Sequence, residues 1–146
     1  MKSALFSLLI FVPTAATAFE KFGCFGTEPF WDATITDKQI SFKLENSTKT
    51  YLGPKYSAPV GTSLEYVLSF EARNESSTVT GFIVHENGML VLDEQGKRPP
   101  NPLTYNAYCS DGMSERGYPY SIHIIVNGKA YTGCCSTASK PAVEQD

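Results

Sequence analysis

The chain has 146 residues, enough for one domain, with 12 basic against 15 acidic side chains and a formal charge of −3. This mildly acidic, mixed composition argues against nucleic-acid binding, which needs clustered lysine and arginine. Beyond residue 18 no apolar run approaches the roughly 20 residues of a transmembrane helix.

Residues 1–18 read as a secretory signal peptide. Lys2 precedes an apolar stretch over residues 4–12, and Ala16-Thr17-Ala18 is a small-x-small cleavage site. The mature chain is then expected to begin at Phe19 and to be periplasmic or secreted. A lipid anchor on Cys24 is the rival reading. Glu20 and Lys21 interrupt the apolar region before Cys24, and no small-residue lipobox precedes it.

From residue 19 onward the pattern is short strands broken by turns, with no convincing helix. Residues 31–36 and 40–44 alternate and are joined at Asp37-Lys38-Gln39, a hairpin reading. Residues 46–61 are rich in turn formers. Tyr51 and Tyr56 within them suit an edge strand, because proline cannot donate to a central ladder. Residues 63–72 alternate, with Leu64, Tyr66, Leu68 and Phe70 on one face. After a polar turn at 73–77, residues 78–85 and 89–92 suggest a second hairpin around Asn87-Gly88. Residues 93–102 form a charged, proline-rich loop, and 103–108 lead as a strand into Cys109.

The clearest hairpin surrounds Asn127-Gly128, which favours a turn with positive φ at both central residues. Pairing outward sets Val126 opposite Lys129, Ile124 opposite Tyr131 and Tyr120 opposite Cys135. Tyr120, Ile122, Ile124, Val126, Tyr131 and Cys135 then share the core face. Ser121, His123, Ile125, Ala130, Thr132 and Cys134 share the other. Residues 137–146 lack periodicity and read as a flexible tail. The whole predicts an all-β, disulfide-stabilised domain over 19–136. It would be a small antiparallel barrel, closed or nearly closed, with a β-sandwich as the alternative.

Four cysteines in an exported domain point to disulfides, and no C-x-x-C pair suggests a metal site. Cys134 and Cys135 project to opposite faces of one strand, so a bond between them is disfavoured. Two pairings remain: Cys109–Cys134 with Cys24–Cys135, or the crossed set. A 109–134 bridge would stabilise by roughly 3.5 kcal/mol through loop entropy.

Two motifs carry a family resemblance. They are Gly26-Thr-Glu-Pro-Phe-Trp31, and Cys109-Ser-Asp-Gly-Met-Ser114 followed by Tyr118-Pro-Tyr120 and Gly133-Cys-Cys135. Together they resemble a widespread family of small, exported, largely uncharacterised bacterial proteins. Its members are often described as predicted membrane or lipoproteins, and the domain sometimes accompanies the META domain of heat-shock lipoproteins. The resemblance runs from Phe22 to Cys135 and departs at Glu115, where aspartate is more usual. It implies a β-rich exported domain with no established activity. It also implies the Cys109–Cys134 pairing, leaving Cys24 for Cys135.

The chemistry-bearing residues each have a structural reading beside the functional one. Ser110 and Ser114 lie near Asp111, but a triad needs a histidine in hydrogen-bond reach. His123, on the polar face of its hairpin, reads as a half-exposed strand residue, and His85 is remote in sequence. Asp111 and Glu115 could offer oxygen ligands to a metal. The simpler account is that Ser110 and Asp111 cap a turn in which Gly112 supplies positive φ. Glu28 and Asp32 flank Trp31, but Pro29 breaks the regular spacing that paired carboxylates would need.

Phe22, Phe25, Phe30, Trp31, Tyr105, Tyr108, Tyr118, Tyr120 and Tyr131 cluster around the two motifs, and most of them, Trp31 included, are expected to fill the barrel and its end. If the disulfides bring both motif loops to one end, Glu28 and Arg116 could pair there. That end is alternatively a binding site, with Glu28, Trp31, Asp111, Arg116 and Tyr118 as the candidates. The expected protein is monomeric, without catalytic residues, metal or cofactor. It binds a small ligand, an envelope component or a protein partner. An inhibitor of a host or competitor enzyme, in the manner of exported lysozyme inhibitors, is the second reading, and an envelope-acting enzyme the third.

Overall fold

The computed structural model describes residues 19–59, 67–86 and 108–144. Among the described residues, seven strands precede the second motif: β1 (Phe22–Thr27), β2 (Phe30–Ile35), β3 (Gln39–Leu44), β4 (Ser47–Leu52), β5 (Lys55–Ser57), β6 (Val67–Arg73) and β7 (Thr78–His85). Five more start with that motif: β8 (Cys109–Ser110), β9 (Arg116–Tyr118), β10 (Tyr120–Val126), β11 (Lys129–Ser136) and β12 (Val143–Glu144). Nine of them form one antiparallel sheet in the order β4-β3-β2-β1-β11-β10-β7-β6-β5, curled into a half-barrel. The other three, β12-β9-β8, make a small second sheet. The domain is all-β, barrel-like and stapled by two disulfides.

Turn chemistry sets the hairpins. Thr36 holds the β2–β3 turn, its Oγ1 accepting from the amides of Lys38 and Gln39 at 3.3 and 3.1 Å. Asn127 and Gly128 take φ of 51° and 76°, as a hairpin turn of this kind requires. The Asn127 side chain also accepts from the Thr78 amide at 3.1 Å, sewing the hairpin tip to the start of β7. The β10–β11 register is Val126↔Lys129, Ile124↔Tyr131 and Tyr120↔Cys135, as the sequence predicts.

One face of the curled sheet carries the core. Ile35, Ile40, Tyr51, Val79, Ile83, Ile122, Ile124 and Cys135 are fully or nearly fully buried, with Phe22, Phe42, Phe70 and Trp31 packed among them. The concave interior is therefore filled by side chains. Trp31 is 2% exposed, stacks on Phe42 with centroids 5.6 Å apart and meets Tyr131 edge-on at 6.3 Å. Its indole lies where side chains at Gly26 and Gly133 would stand. A Cβ at Gly26 would fall 2.1 Å from Trp31 Nε1, and one at Gly133 2.8 Å from the ring carbon Cζ2.

The edge strand β4 comes against β6 and the β6–β7 turn without a ladder between them. Side chains bridge this seam: Asn74 donates to the Thr50 carbonyl at 3.1 Å, and Ser77 Oγ to the Tyr51 hydroxyl at 3.0 Å. Tyr56 donates its hydroxyl to the Thr36 carbonyl. Burial, with the Asp37 charge adding, pushes that phenol up to about 12.

Several expectations change. Residues 47–52, within a turn-rich segment where only Tyr51 suited an edge strand, form the six-residue strand β4 through a hairpin at Glu45, which takes a φ of 52°. Tyr51 and Tyr56 do lie on the two edge strands. The C-terminal segment is not a free tail over 137–144. Thr137 is buried, the Ser139 amide donates to Glu20 at 2.8 Å, and β12 pairs with β9. Backbone partners contributed by β9, invisible to a periodicity argument, hold it down. The expected signal peptide over 1–18, residues 63–66, and the expected hairpin at Asn87-Gly88, loop over 93–102 and strand over 103–107 lie outside the described residues.

Trp31→Ala should lower unfolding free energy by about 3–5 kcal/mol, as for a large aromatic removed from a packed core. Chemical denaturation followed by far-UV circular dichroism measures it. A loss below about 1 kcal/mol would contradict the core placement.

Candidate functional site

The adjacent cysteines build the site. Along β11 the side chains alternate, so Cys135 turns inward and Cys134 outward. Cys135 bonds Cys24 directly across the β1–β11 pair, with Cα atoms 4.1 Å apart. Cys134 bonds Cys109 at a Cα separation of 5.5 Å, and this tethers the second motif to the outer face of the sheet. The pairing is the one the family resemblance implies.

An open cleft of about 510 Å³ results. One wall is Phe25 with the start of the first motif, Gly26 to Glu28, and another is the second motif, Cys109 to Met113. The floor is the outer face of β10 and β11, contributed by Ser121, His123 and Thr132. The two motifs are 84 residues apart at their point of contact, where Thr27 Oγ1 donates to the Asp111 carbonyl at 3.3 Å. Behind that contact Phe25 meets Tyr118 edge-on at 4.9 Å.

The second motif is a rigid turn. Asp111 Oδ1 accepts from the amides of Met113 and Ser114 at 2.9 and 2.8 Å, and Oδ2 from the Ser114 hydroxyl at 2.8 Å. Ser110 Oγ accepts from the Gly112 amide at 3.1 Å, and Gly112 takes a φ of 69°. These donors, led by the Met113 and Ser114 amides, hold the Asp111 carboxyl below the usual aspartate range. The carboxylate and both serines are thus engaged in shaping the loop, the turn chemistry expected of Ser110, Asp111 and Gly112. His123 is exposed and stacks on Phe82 at 4.9 Å. Among the described residues, no group of three or more His, Cys, Asp or Glu side chains could hold a metal ion.

The candidate binding residues separate. Glu28 and Asp111 line the cleft. Tyr118 supports its wall from behind, with its hydroxyl 3.5 Å from Asp111 Oδ2. Trp31 is in the core and does not reach the cleft. Arg116 is exposed on β9 beside Glu144 in the β9–β12 register. The expected Glu28–Arg116 ion pair does not form, because the β9–β12 ladder sets Arg116 opposite Glu144. The hydroxyl of Thr27 and the ring of Phe25 join the loops in its place. Ser121, His123, Thr132 and Met113 were not singled out as binding candidates. The alternation that places Ser121, His123, Thr132 and Cys134 on one face was the available signal.

No protein-family model, curated protein or solved structure matches this chain.

The Asp111 turn carries a pH dependence of definite sign. A carboxyl with a lowered folded pKa stabilises its loop above the ordinary aspartate pKa, and that stabilisation is lost as pH falls through the lowered value. The amide signals of Met113 and Ser114 should therefore hold their positions well into acid and shift only below the usual aspartate range. An NMR titration that moves them at an ordinary aspartate pKa would contradict this geometry.

Proposed function

We propose that this protein is an exported, non-enzymatic binding protein that captures its ligand in the outer cleft between the two motif loops. One observation carries the reading: the barrel interior is filled, whereas both motifs converge on a cleft with a covalently fixed wall. A binding protein gains affinity from a preformed site, and the Asp111 turn and the Cys109–Cys134 bond preform this one. A small ligand or envelope component fits the cleft, and the chain acts as a monomer.

Export is part of the reading. Two disulfides are consistent with an oxidising compartment. Phe19, the first residue after the proposed cleavage site, packs on Tyr56 with centroids 4.6 Å apart. The Cys24 sulfur is bonded to Cys135, which leaves none for a lipid thioether. The family resemblance agrees with this compartment.

Thr132→Trp, an exposed substitution on the cleft floor, should fill the site and leave the fold intact. Native mass spectrometry of the protein recovered from its envelope fraction is expected to show a bound ligand. The substitution should weaken it by at least about tenfold. An adduct unaffected by Thr132→Trp would remove the cleft from the proposal.

The inhibitor reading has an observation of its own. Phe30 and Met113 are 67% and 69% exposed, one beside each motif loop, and protruding apolar side chains suit insertion into a partner enzyme. Phe30→Glu, at a residue outside the cleft lining, would then abolish a one-to-one protein complex while sparing a small ligand in the cleft.

A further inference from the structure

The two disulfides share a strand and differ in surroundings. Cys24 and Cys135 are 3% and 0% exposed and belong to the core. Cys109 is half-buried and lines the cleft together with Cys134, itself 2% exposed. A nucleophile entering the cleft therefore meets one disulfide and has no path to the other. It meets that disulfide from the Cys109 side.

We propose that Cys109–Cys134 is a thiol–disulfide exchange site, opened selectively by a dithiol while Cys24–Cys135 stays closed, and that its opening releases residues 111–113 of the cleft wall. The inference does not depend on what the cleft binds. In the first step a thiolate of the dithiol attacks Cys109 Sγ, forming a mixed disulfide and expelling Cys134 as a thiolate, which takes up a proton. In the second, the other thiol of the reagent, as its thiolate, attacks its own sulfur in that mixed disulfide. The reagent leaves as its cyclic disulfide and Cys109 as a thiolate. Two electrons pass from dithiol to protein, and the protein ends with two thiols.

The mechanical consequence follows from what else holds the wall. With the bond intact, the second motif is covalently fixed to β11, 25 residues on. With it open, the wall keeps the two-residue β8–β9 ladder at its base. Its links to the first motif are then the Thr27–Asp111 hydrogen bond, at 3.3 Å, and the Phe25–Tyr118 ring contact, so residues 111–113 are the part released. The large sheet keeps its own bond and its ladders, so the change is confined to the cleft.

Glu28 and Asp111 line the approach and would repel an anionic thiol, so the probe is the neutral dithiol dithiothreitol. The native protein is incubated with it without denaturant, trapped with iodoacetamide at intervals and mapped by peptide mass spectrometry. Cys109 and Cys134 should be alkylated at least about tenfold faster than Cys24 and Cys135. At that stage the buried fluorescence of Trp31 should be unchanged, while the amide signals of Gly112, Met113 and Ser114 move. Simultaneous opening of both bonds with loss of the Trp31 signal would overturn the proposal. So would earlier labelling of Cys24 and Cys135, or resistance of both bonds until the protein is denatured. Selective labelling that leaves the three amides in place would overturn the release of the wall.

Discussion

The alternation of side chains at Cys134-Cys135 is the constraint on which the rest of this structure depends. In a strand two neighbours face opposite ways, so two adjacent cysteines direct two covalent bonds to opposite sides of one sheet. The inward bond spans 111 residues and joins the first strand of the sheet to β11, the C-terminal strand of the large sheet. Loop entropy alone assigns such a closure about 5 kcal/mol, against about 3.5 kcal/mol for the outward bond over 25 residues. The inward bond therefore falls where long-range pairing is costliest to nucleate. β1 and β11 are central in a nine-stranded order, and their register must be right before either half of the sheet can complete.

What was legible in the sequence was what local chemistry decides. Asn127-Gly128 fixes a turn, the turn fixes a register, and the register fixes which of Tyr120 to Cys135 face inward. Each step is short-range, and the sequence states each one directly. The Ser110-Asp111-Gly112 turn is legible for the same reason, since all its hydrogen bonds close within a few residues. The small sheet and the C-terminal segment were not legible. The chain around residue 143 meets Gly117 and Arg116 only through backbone pairing, and two-residue strands carry no periodicity to read. Arg116 was misplaced by the same gap. Charge complementarity suggested Glu28, while the ladder through β9 set it beside Glu144.

The seam of the half-barrel shows how an incomplete sheet limits its exposed edges. No ladder joins β4 to β6, yet Tyr51 is fully buried with its hydroxyl hydrogen-bonded by Ser77. Asn74 takes up an edge carbonyl, that of Thr50. A buried phenol left unpaired would cost a few kcal/mol, so these polar contacts let the aromatic core extend to the edge strand. Short length does the rest, because β5 has three residues and offers little template for pairing with another chain.

The first motif divides its residues between these two tasks, and the division explains why its composition resisted a single reading. Trp31 belongs to the core, and Gly26 above it lacks a side chain because the indole occupies that space, while Gly133 on β11 is crowded first by the Phe25 carbonyl and then by the same ring. Thr27 and Glu28 face the cleft, where Thr27 reaches the second motif. Phe30, past the turn, returns to solvent. A tryptophan beside carboxylates suggests a binding platform when read along the chain. In the folded protein the strand reverses between them at Glu28-Pro29, so the aromatic ring enters the core while Glu28 stays at the rim of the cleft. Packing the tryptophan positions the turn, and the turn presents one wall of the site. The indole thus shapes the cleft from beneath without contacting anything bound in it.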